Sequence, residues 1–223
     1  MTHNPHAFVV AAPSGTGKTT LNRRLLKEFN QIEFSVSLTT RPIRPGEVDG
    51  DHYHFVDNEQ FDEEIKKDRM LEWAEVFGNR YGTSLNEVER IFNNGKDVLL
   101  EIDVQGWHYA RKKITNATSI FIIPPSMEEL WQRLAKRGTD SLESRLKRFK
   151  TAREELEKCE EFHQFIINDD IEEAYKELKN IIIYRKVGNL TPQQGVSFCR
   201  RLMDEYDQGS HIDGKFKSSH PSK

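Results

Sequence analysis

Short apolar runs alternate with segments of helical period along much of this chain. Four runs with no polar face predict buried strands at residues 8–12, 98–102, 120–123 and 165–167. Apolar positions at helical spacing predict helices at residues 19–29, 85–92, 127–136, 142–159 and 171–184. Strands that alternate with helices are typical of a parallel sheet with helices on both faces. The predicted fold class is therefore α/β.

Two segments interrupt this alternation. The first, residues 33–82, contains four glycines and short β-prone pieces, and predicts an inserted β-rich subdomain. The second is an arginine-rich segment at residues 137–148. Near the end of the chain, Thr191 followed by Pro192 predicts a helix that runs to about residue 206. The remaining residues are rich in Gly, Ser, His and Lys and are predicted to be disordered.

A glycine-rich loop, A-P-S-G-T-G-K-T at residues 12–19, joins the first predicted strand to the first predicted helix. This order is the context that a phosphate-binding P-loop requires, although Ala12 stands where the pattern has Gly. Glycines let successive backbone N–H groups point inward, and the helix N-terminus favours anionic oxygens. Lys18 can reach the β- and γ-phosphates, and the Thr19 hydroxyl can bind Mg²⁺. The loop predicts a nucleoside triphosphate site; the alternative is a glycine-rich turn with a surface lysine.

Length and charge narrow the class of protein. A chain of 223 residues fits one domain of ordinary size, and its net charge of −3 does not indicate a nucleic-acid binder. No apolar stretch approaches membrane-spanning length and no signal segment precedes the first strand, so we expect a soluble, cytoplasmic protein that does not bind membranes. Cys159 and Cys199 lie far apart, which predicts two thiols in a reducing compartment.

A second cluster of charge lies in residues 34–47, where Arg41 and Arg44 stand three apart in a turn stiffened by two prolines. Two fixed guanidinium groups suit the bidentate capture of a phosphate dianion. A solvated turn, in which these arginines pair with Glu47 or Asp49, explains the same residues equally well. Both interpretations stay open at this point.

Residues 37–55 read S-x-T-T-R-x-x-R-x-G-E-x-x-G-x-x-Y-x-F, and this segment resembles the GMP-binding segment of the guanylate kinases. The resemblance extends over about residues 6–186, through E-W-A at 72–74, G-N-R-Y-G at 78–82, E-I-D-V-Q-G at 101–106, P-P-S at 124–126, R-G-T at 137–139 and N-D-D at 168–170. It implies a P-loop core, an inserted GMP-binding subdomain and a small helical lid over ATP. The implied boundaries are 1–33, 84–127 and 155–190 for the core, 34–83 for the subdomain and 128–154 for the lid, with a partly disordered extension at 191–223.

The resemblance also implies a GMP site. The GMP phosphate would be held by Arg41, Arg44, Tyr53 and Tyr81, and the guanine would be read by Ser37, Glu72 and Thr83. Glu72 is the sharpest choice, because guanine presents N1–H and N2–H₂ donors on one edge and a carboxylate only accepts. Thr83 stands where the family often has Ser, and the hydroxyl is kept.

The implied ATP site includes Ser14, Gly15, Thr16, Gly17, Lys18, Thr19 and Thr20, with Arg133, Arg137 and Asn168. Lys18, Arg41, Arg137 and Arg148 are the expected catalytic residues. Asp103, at the end of a predicted strand, can orient the water shell of Mg²⁺, and Glu101 stands where the family often has Asp. Two alternatives remain: strand-end carboxylates that face solvent, and an Arg137 that only stabilises a helix C-terminus.

The expected reaction is MgATP + GMP ⇌ ADP + GDP, with dGMP as a second acceptor. The GMP phosphate is already anionic near pH 7, so alignment and charge stabilisation suffice and no general base is required. Two alternatives are a related P-loop kinase that acts on a sugar phosphate and a non-catalytic module that binds phosphorylated peptides. Since every matched motif precedes residue 187, a chain ending at Arg185 is expected to stay active.

Overall fold

The computed structural model describes residues 4–76, 78–136 and 141–209. Its strands are β1 (Ala7–Ala11), β2 (Ile32–Phe34), β3 (Leu38–Thr39), β4 (His54–Phe55), β5 (Met70–Val76), β6 (Asn79–Ser84), β7 (Asp97–Leu100), β8 (Thr118–Ile123) and β9 (Gln164–Ile167). Its helices are α1 (Lys18–Glu28), α2 (Asn58–Lys66), α3 (Leu85–Asn93), α4 (Val104–Ala110), α5 (Met127–Lys136), α6 (Leu142–Glu157), α7 (Ile171–Ile182) and α8 (Pro192–Asp207), with a 3-10 turn at Cys159–Glu161.

The main sheet has five strands in the order β2-β7-β1-β8-β9. β7 pairs in parallel with β1 and β2, and β8 pairs in parallel with β9. The four predicted strands are all present, with ends shifted by one or two residues, and every residue of β1 is buried. The α/β fold class is therefore confirmed. β2 is an addition that the apolar pattern did not predict.

A second sheet lies within the predicted insertion, with strand order β4-β3-β6-β5. Leu38, Phe61 and Met70 form a buried cluster between this sheet and α2. The β-rich character of the insertion is confirmed, but α2 was not predicted. It begins with a capping box, in which Asp57 accepts from the Gln60 N–H at 2.8 Å and Gln60 accepts from the Asp57 N–H at 3.0 Å.

The chain divides into two compact units. One contains the residues up to Val10 together with Leu26–Thr118, and includes the second sheet. The other contains Ala11–Leu25 together with the residues from Ser119 onward, and includes the glycine-rich loop. The core, subdomain and lid boundaries given above remain predictions. Among the described residues, no helix is both long and apolar enough to cross a membrane.

Helix α8 confirms the prediction made from Thr191 and Pro192. The Thr191 hydroxyl accepts from the Gln194 N–H at 3.2 Å and forms the N-cap. Gly195, Cys199 and Leu202 are buried in the interface that α8 makes with the rest of its unit. A chain ending at Arg185 would expose this interface to water. The expectation that such a chain stays active is not supported by this packing.

Replacing Gly195 by Ala is expected to destabilise the protein by about 1–3 kcal/mol, because overpacking a full interior forces side chains apart. A Cβ at this position would lie 2.1 Å from Cγ of Phe165, which is fully buried. Helix propensity alone predicts the opposite sign, since Ala is favoured over Gly by about 1 kcal/mol. Thermal unfolding decides the sign. Ser197→Ala, at an exposed position of the same helix, is the control that should not destabilise.

Candidate active site

The glycine-rich loop has the backbone conformation of an anion cradle. Gly15 and Gly17 have φ angles of +96° and +100°, a region that side chains other than Gly rarely adopt. The loop closes through a bond of 3.1 Å from the Thr16 N–H to the Pro13 carbonyl, and the Thr20 N–H donates to the Gly17 carbonyl at 3.1 Å. Lys18 is the first residue of α1. The loop therefore leads directly into a helix N-terminus, where anions are stabilised.

The Asn168 side chain holds the glycine-rich loop through a hydrogen bond to its backbone. It follows β9, is 3% exposed, and its side-chain amide donates to the Thr16 carbonyl at 2.6 Å. A Cβ on Gly17 would lie 2.5 Å from the same nitrogen, so only glycine fits there. The resemblance places Asn168 near the adenine. The structure places its side chain against the phosphate loop, a contact that the sequence did not indicate.

Two of the three predicted arginines contact this assembly. Arg148 on α6 donates twice to the Ser14 hydroxyl, at 3.2 and 2.8 Å. Arg133 on α5 donates to the Asn168 carbonyl at 2.8 Å and pairs with Glu129 at 2.9 Å. Arg137, the third, lies outside the described residues. The structure thus brings two cationic side chains to the residues that surround the loop.

A second group of predicted residues lies on one face of the second sheet. Glu72 on β5 stands directly opposite Thr83 on β6, and Ala74 stands opposite Tyr81. Directly opposed and alternating residues share a face, so Glu72, Tyr81 and Thr83 point to the same side of the sheet. The Thr83 hydroxyl donates to Glu72 Oε1 at 2.7 Å. Glu72 also lines a cavity of about 660 Å³ together with Trp73, Gln105 and Tyr109, but Tyr81 and Thr83 are not among its lining residues, so this cavity does not mark the predicted GMP site.

The Glu72 carboxyl has an elevated pKa. Burial is the largest cause, and the negative charge of Asp103 adds to it, while the bonds from Thr83 act in the opposite direction. Asp103 is the N-cap of α4, where its Oδ1 accepts from the Gly106 N–H at 2.6 Å. The negative charge of Asp103 therefore makes ionisation of Glu72 less favourable. A donor-rich ligand that stabilised the charged form of Glu72 would relieve part of the burial penalty.

Arg41 lies beside other predicted phosphate ligands and also pairs with Glu47. Its guanidinium lies 5.5 Å from the Tyr53 ring, and Tyr53 lies 5.8 Å from Tyr81, so the three predicted phosphate ligands are neighbours. Arg41 also pairs with Glu47 through bonds of 3.0 and 2.8 Å, the alternative that the sequence left open. The Arg41 bonds, together with the Arg44 N–H, lower the pKa of Glu47 to about 2. Glu47 thus orients the guanidinium, a role that the sequence did not assign.

The remaining predicted site residues are half-buried or exposed. The Arg44 side chain is exposed while its N–H donates to Glu47 at 2.8 Å. Ser37 is half-buried, and its carbonyl accepts from the His54 N–H at 2.9 Å. Glu101 is half-buried after β7, and Thr19 and Thr20 are exposed in the first turn of α1. Nothing in their geometry excludes ligand binding.

Comparison with known proteins identifies the family. The family model described as guanylate kinase matches residues 4–184. The chain belongs to the guanylate kinase family. The guanylate kinase of Clostridium perfringens (strain SM101) is 46% identical over 179 residues, which cover 80% of this chain and 83% of that protein. The guanylate kinase of Neisseria gonorrhoeae (strain ATCC 700825) is 49% identical over 175 residues, or 78% of this chain and 85% of that protein.

A solved structure agrees with this family assignment. The crystal structure of guanylate kinase from Anaplasma phagocytophilum matches with a TM-score of 0.62 and 34% identity, over 92% of this chain and 97% of that one. The family match and the structural match both extend over the two units of the chain, so the similarity is not limited to the topology of the main sheet. This family member is therefore a nucleoside monophosphate kinase, a class of transferase. The family match ends at residue 184, so α8 lies beyond it.

Proposed function

We propose that this protein transfers the γ-phosphoryl group of ATP to GMP, giving ADP and GDP. The observation that carries the choice of acceptor is the Glu72 carboxylate, which accepts from the Thr83 hydroxyl at 2.7 Å and lies on the same sheet face as Tyr81. A carboxylate has about four lone-pair sites, so the Thr83 bonds leave room for the N1–H and N2–H₂ donors of guanine. Ser37 completes the set of residues that read the base.

The GMP phosphate is proposed to bind Arg41, Arg44, Tyr53 and Tyr81. Three of these side chains are neighbours in the structure, and Glu47 holds the Arg41 guanidinium in place. An Arg side chain has five N–H donors, and the bonds to Pro42 and Glu47 use three of them. A further hydrogen bond joins Arg41 to Tyr81, so a bound phosphate would share this guanidinium with the groups that already hold it. Glu101 and Asp103 are proposed to complete the acceptor site.

ATP is proposed to bind the glycine-rich loop, with its phosphates at Ser14, Gly15, Thr16, Gly17, Lys18, Thr19 and Thr20. Arg133, Arg148 and Arg137 would offset the negative charge of the transferred group, and Asn168 would keep the loop in shape. The attacking GMP phosphate oxygen carries its own negative charge, so these residues align and neutralise rather than accept a proton. Lys18, Arg41, Arg137 and Arg148 are the proposed catalytic residues.

Magnesium is the proposed cofactor. Mg²⁺ prefers oxygen ligands and keeps several waters, and the Thr19 hydroxyl and the Asp103 carboxylate provide such oxygens. Oδ1 of Asp103 accepts from the Gly106 N–H at 2.6 Å, which fixes the carboxylate orientation and leaves Oδ2 for a bound water. Each side chain offers an oxygen of the kind that this ion prefers, and the ion would neutralise phosphate charge when it binds. We also propose a cytoplasmic location, which two buried, free cysteines support.

One assay tests the proposed reaction against its alternatives. ADP release, measured by a coupled assay, is compared with GMP, AMP, ribose phosphates and no acceptor. Release that depends on GMP supports the proposal. Release that depends on a ribose phosphate indicates a sugar-phosphate kinase, and no release with any acceptor indicates a binding module.

The raised pKa of Glu72 predicts a pH dependence of GMP recognition. The carboxyl must be ionised to accept both guanine donors, so kcat/KM for GMP should fall by about tenfold per pH unit below the raised pKa. Ionisation of the GMP phosphate adds its own dependence. The control is therefore Glu72→Gln, which retains the GMP contribution and loses the limb of the profile that belongs to Glu72. Identical profiles for the two proteins would contradict the assignment.

A further inference from the structure

Helix α8 lies beyond the matched family segment but packs on two helices that reach the phosphate loop. Its last turn, Glu205 to Asp207, provides contacts to both α5 and α6. The loop and all three helices belong to the same compact unit. The contacts made by this turn can therefore be followed residue by residue to the loop.

The first path runs from Glu205 through α5. Glu205 Oε2 accepts from the N–H of Met127, the first residue of α5, at 3.1 Å. A carboxylate at a helix N-terminus satisfies an unpaired N–H and favours the helix dipole. Further along α5, Leu134 packs on Gly15, where its Cδ2 would lie 2.9 Å from an added Cβ. Arg133 of the same helix donates to the Asn168 carbonyl at 2.8 Å.

The second path runs from Tyr206 and Asp207 through α6. The Tyr206 ring lies 5.1 Å from the ring of Phe149, and Asp207 pairs with Arg153 through bonds of 3.2 and 3.0 Å. Phe149 is 1% exposed and directly follows Arg148, whose guanidinium donates to the Ser14 hydroxyl. Phe149 also packs on Trp131 of α5, with ring centroids 5.3 Å apart. The two paths are thus connected.

We propose that Glu205 and Tyr206 are positioning residues of the ATP site, which set α5 and α6 so that Arg148 meets the phosphate loop and Arg133 meets Asn168, the residue that contacts the loop. The inference rests on the proposed assignment of that loop to ATP. Glu205 acts through the α5 N-terminus, and Tyr206 acts through Phe149. Neither residue is expected to touch ATP. Their effect on nucleotide affinity is indirect. It should change the affinity for ATP, which is proposed to bind the loop of this unit, and not the affinity for GMP.

The test compares disruptive and conservative variants at each position. Glu205→Ala removes the acceptor for the Met127 N–H, and Glu205→Gln keeps one. Tyr206→Ala removes the ring that packs on Phe149, and Tyr206→Phe keeps it. Arg200→Ala is the control, since Arg200 lies on the same helix but pairs at 2.7 Å with Glu160, which belongs to the 3-10 turn and not to α5 or α6. The measurements are Kd for ATP and Kd for GMP by calorimetry, well below the measured Tm of each variant.

Both Ala variants are expected to weaken ATP binding by about two- to thirtyfold, the usual range for residues that act through packed neighbours. GMP affinity should stay within about twofold, and Gln and Phe should restore most of the ATP affinity. A lower Tm with unchanged ATP affinity in the Ala variants would overturn the proposal, and so would equal weakening of both nucleotides. If Tyr206→Ala does not fold, the two Glu205 variants decide. ATP binding without GMP phosphorylation in the wild-type protein would refute the proposed reaction and leave this test intact.

Discussion

Lys18→Met is expected to lower the rate of phosphoryl transfer by at least about a thousandfold, because it removes a cation that we propose to contact the migrating phosphate. Lys18 opens α1 directly after Gly17, where the loop N–H groups and the helix N-terminus already favour anions. Met has a similar length and no charge, so the packing of the first helical turn should change little. The proposed GMP contacts lie in β5 and β6, in the segments that flank β3 and β4, and directly after β7, all of them outside this loop. GMP affinity should therefore stay close to that of the wild-type protein.

Two measurements separate these effects. The coupled assay reports transfer, and calorimetry with GMP alone reports acceptor binding. Lys27→Met, at an exposed position in the last turn of α1, is the matched control and should retain full activity. A collapse of GMP affinity in Lys18→Met would show that the donor and acceptor contacts are not separable in the way proposed.

The strands of the main sheet were predictable because burial on both faces leaves a continuous apolar run. Every residue of β1 and β7 is buried, and both were predicted from that pattern alone. β2 was not predicted because it has only three residues and because Glu33, at its centre, is a charged residue that pairs with Lys96 and Arg90. A short strand of mixed polarity has no periodicity to detect.

Two helices were missed for a different reason. α4 has seven residues and begins directly after Asp103, a carboxylate that in sequence suggests either a Mg²⁺ ligand or a strand end that faces solvent. Asp103 also caps this helix, so the same carboxylate is both the N-cap of α4 and the proposed Mg²⁺ ligand. α2 lies inside a segment rich in glycine and β-prone residues, where the capping box formed by Asp57 and Gln60 was the available sign.

The part of the candidate site that could not be predicted consists of contacts between residues far apart in the sequence. The loop and the arginine pair at 41 and 44 follow from the chemistry of phosphate binding, whereas the role of Glu72 was implied by the family resemblance. The bond from Asn168 to the Thr16 carbonyl joins residues 152 positions apart, and no local pattern encodes it. The contact between Glu205 and α5 is equally remote, at 78 positions. Such contacts depend on packing, which a single sequence does not reveal.

Glu72→Gln is expected to lower kcat/KM for GMP by about ten- to several-hundredfold. Bonds from guanine N1–H and N2–H₂ to a carboxylate are charge-assisted, and such bonds contribute about 1.5–3 kcal/mol each in net terms. Gln keeps the shape and loses the charge, and its NH₂ group must face either a guanine donor or the Thr83 hydroxyl, which now donates to Glu72 at 2.7 Å. The first orientation loses a bond to guanine, and the second requires the Thr83 hydroxyl to reverse and accept; in both, the bonds to guanine lose their charge assistance.

The same substitution should change the preference between bases. An amide offers a donor and an acceptor, which match N1 and the amino group of adenine, so AMP should gain relative to GMP. KM for ATP should barely change, since the proposed triphosphate contacts lie in the loop and α1 rather than in β5. The folded protein should become more stable at neutral pH, because an ionised carboxyl whose pKa is raised by burial favours the unfolded state above that pKa. This gain should shrink as the pH falls and the wild-type carboxyl becomes protonated. Steady-state kinetics with both nucleotides and unfolding curves at several pH values check these outcomes. An unchanged GMP/AMP ratio would mean that Glu72 does not read the base.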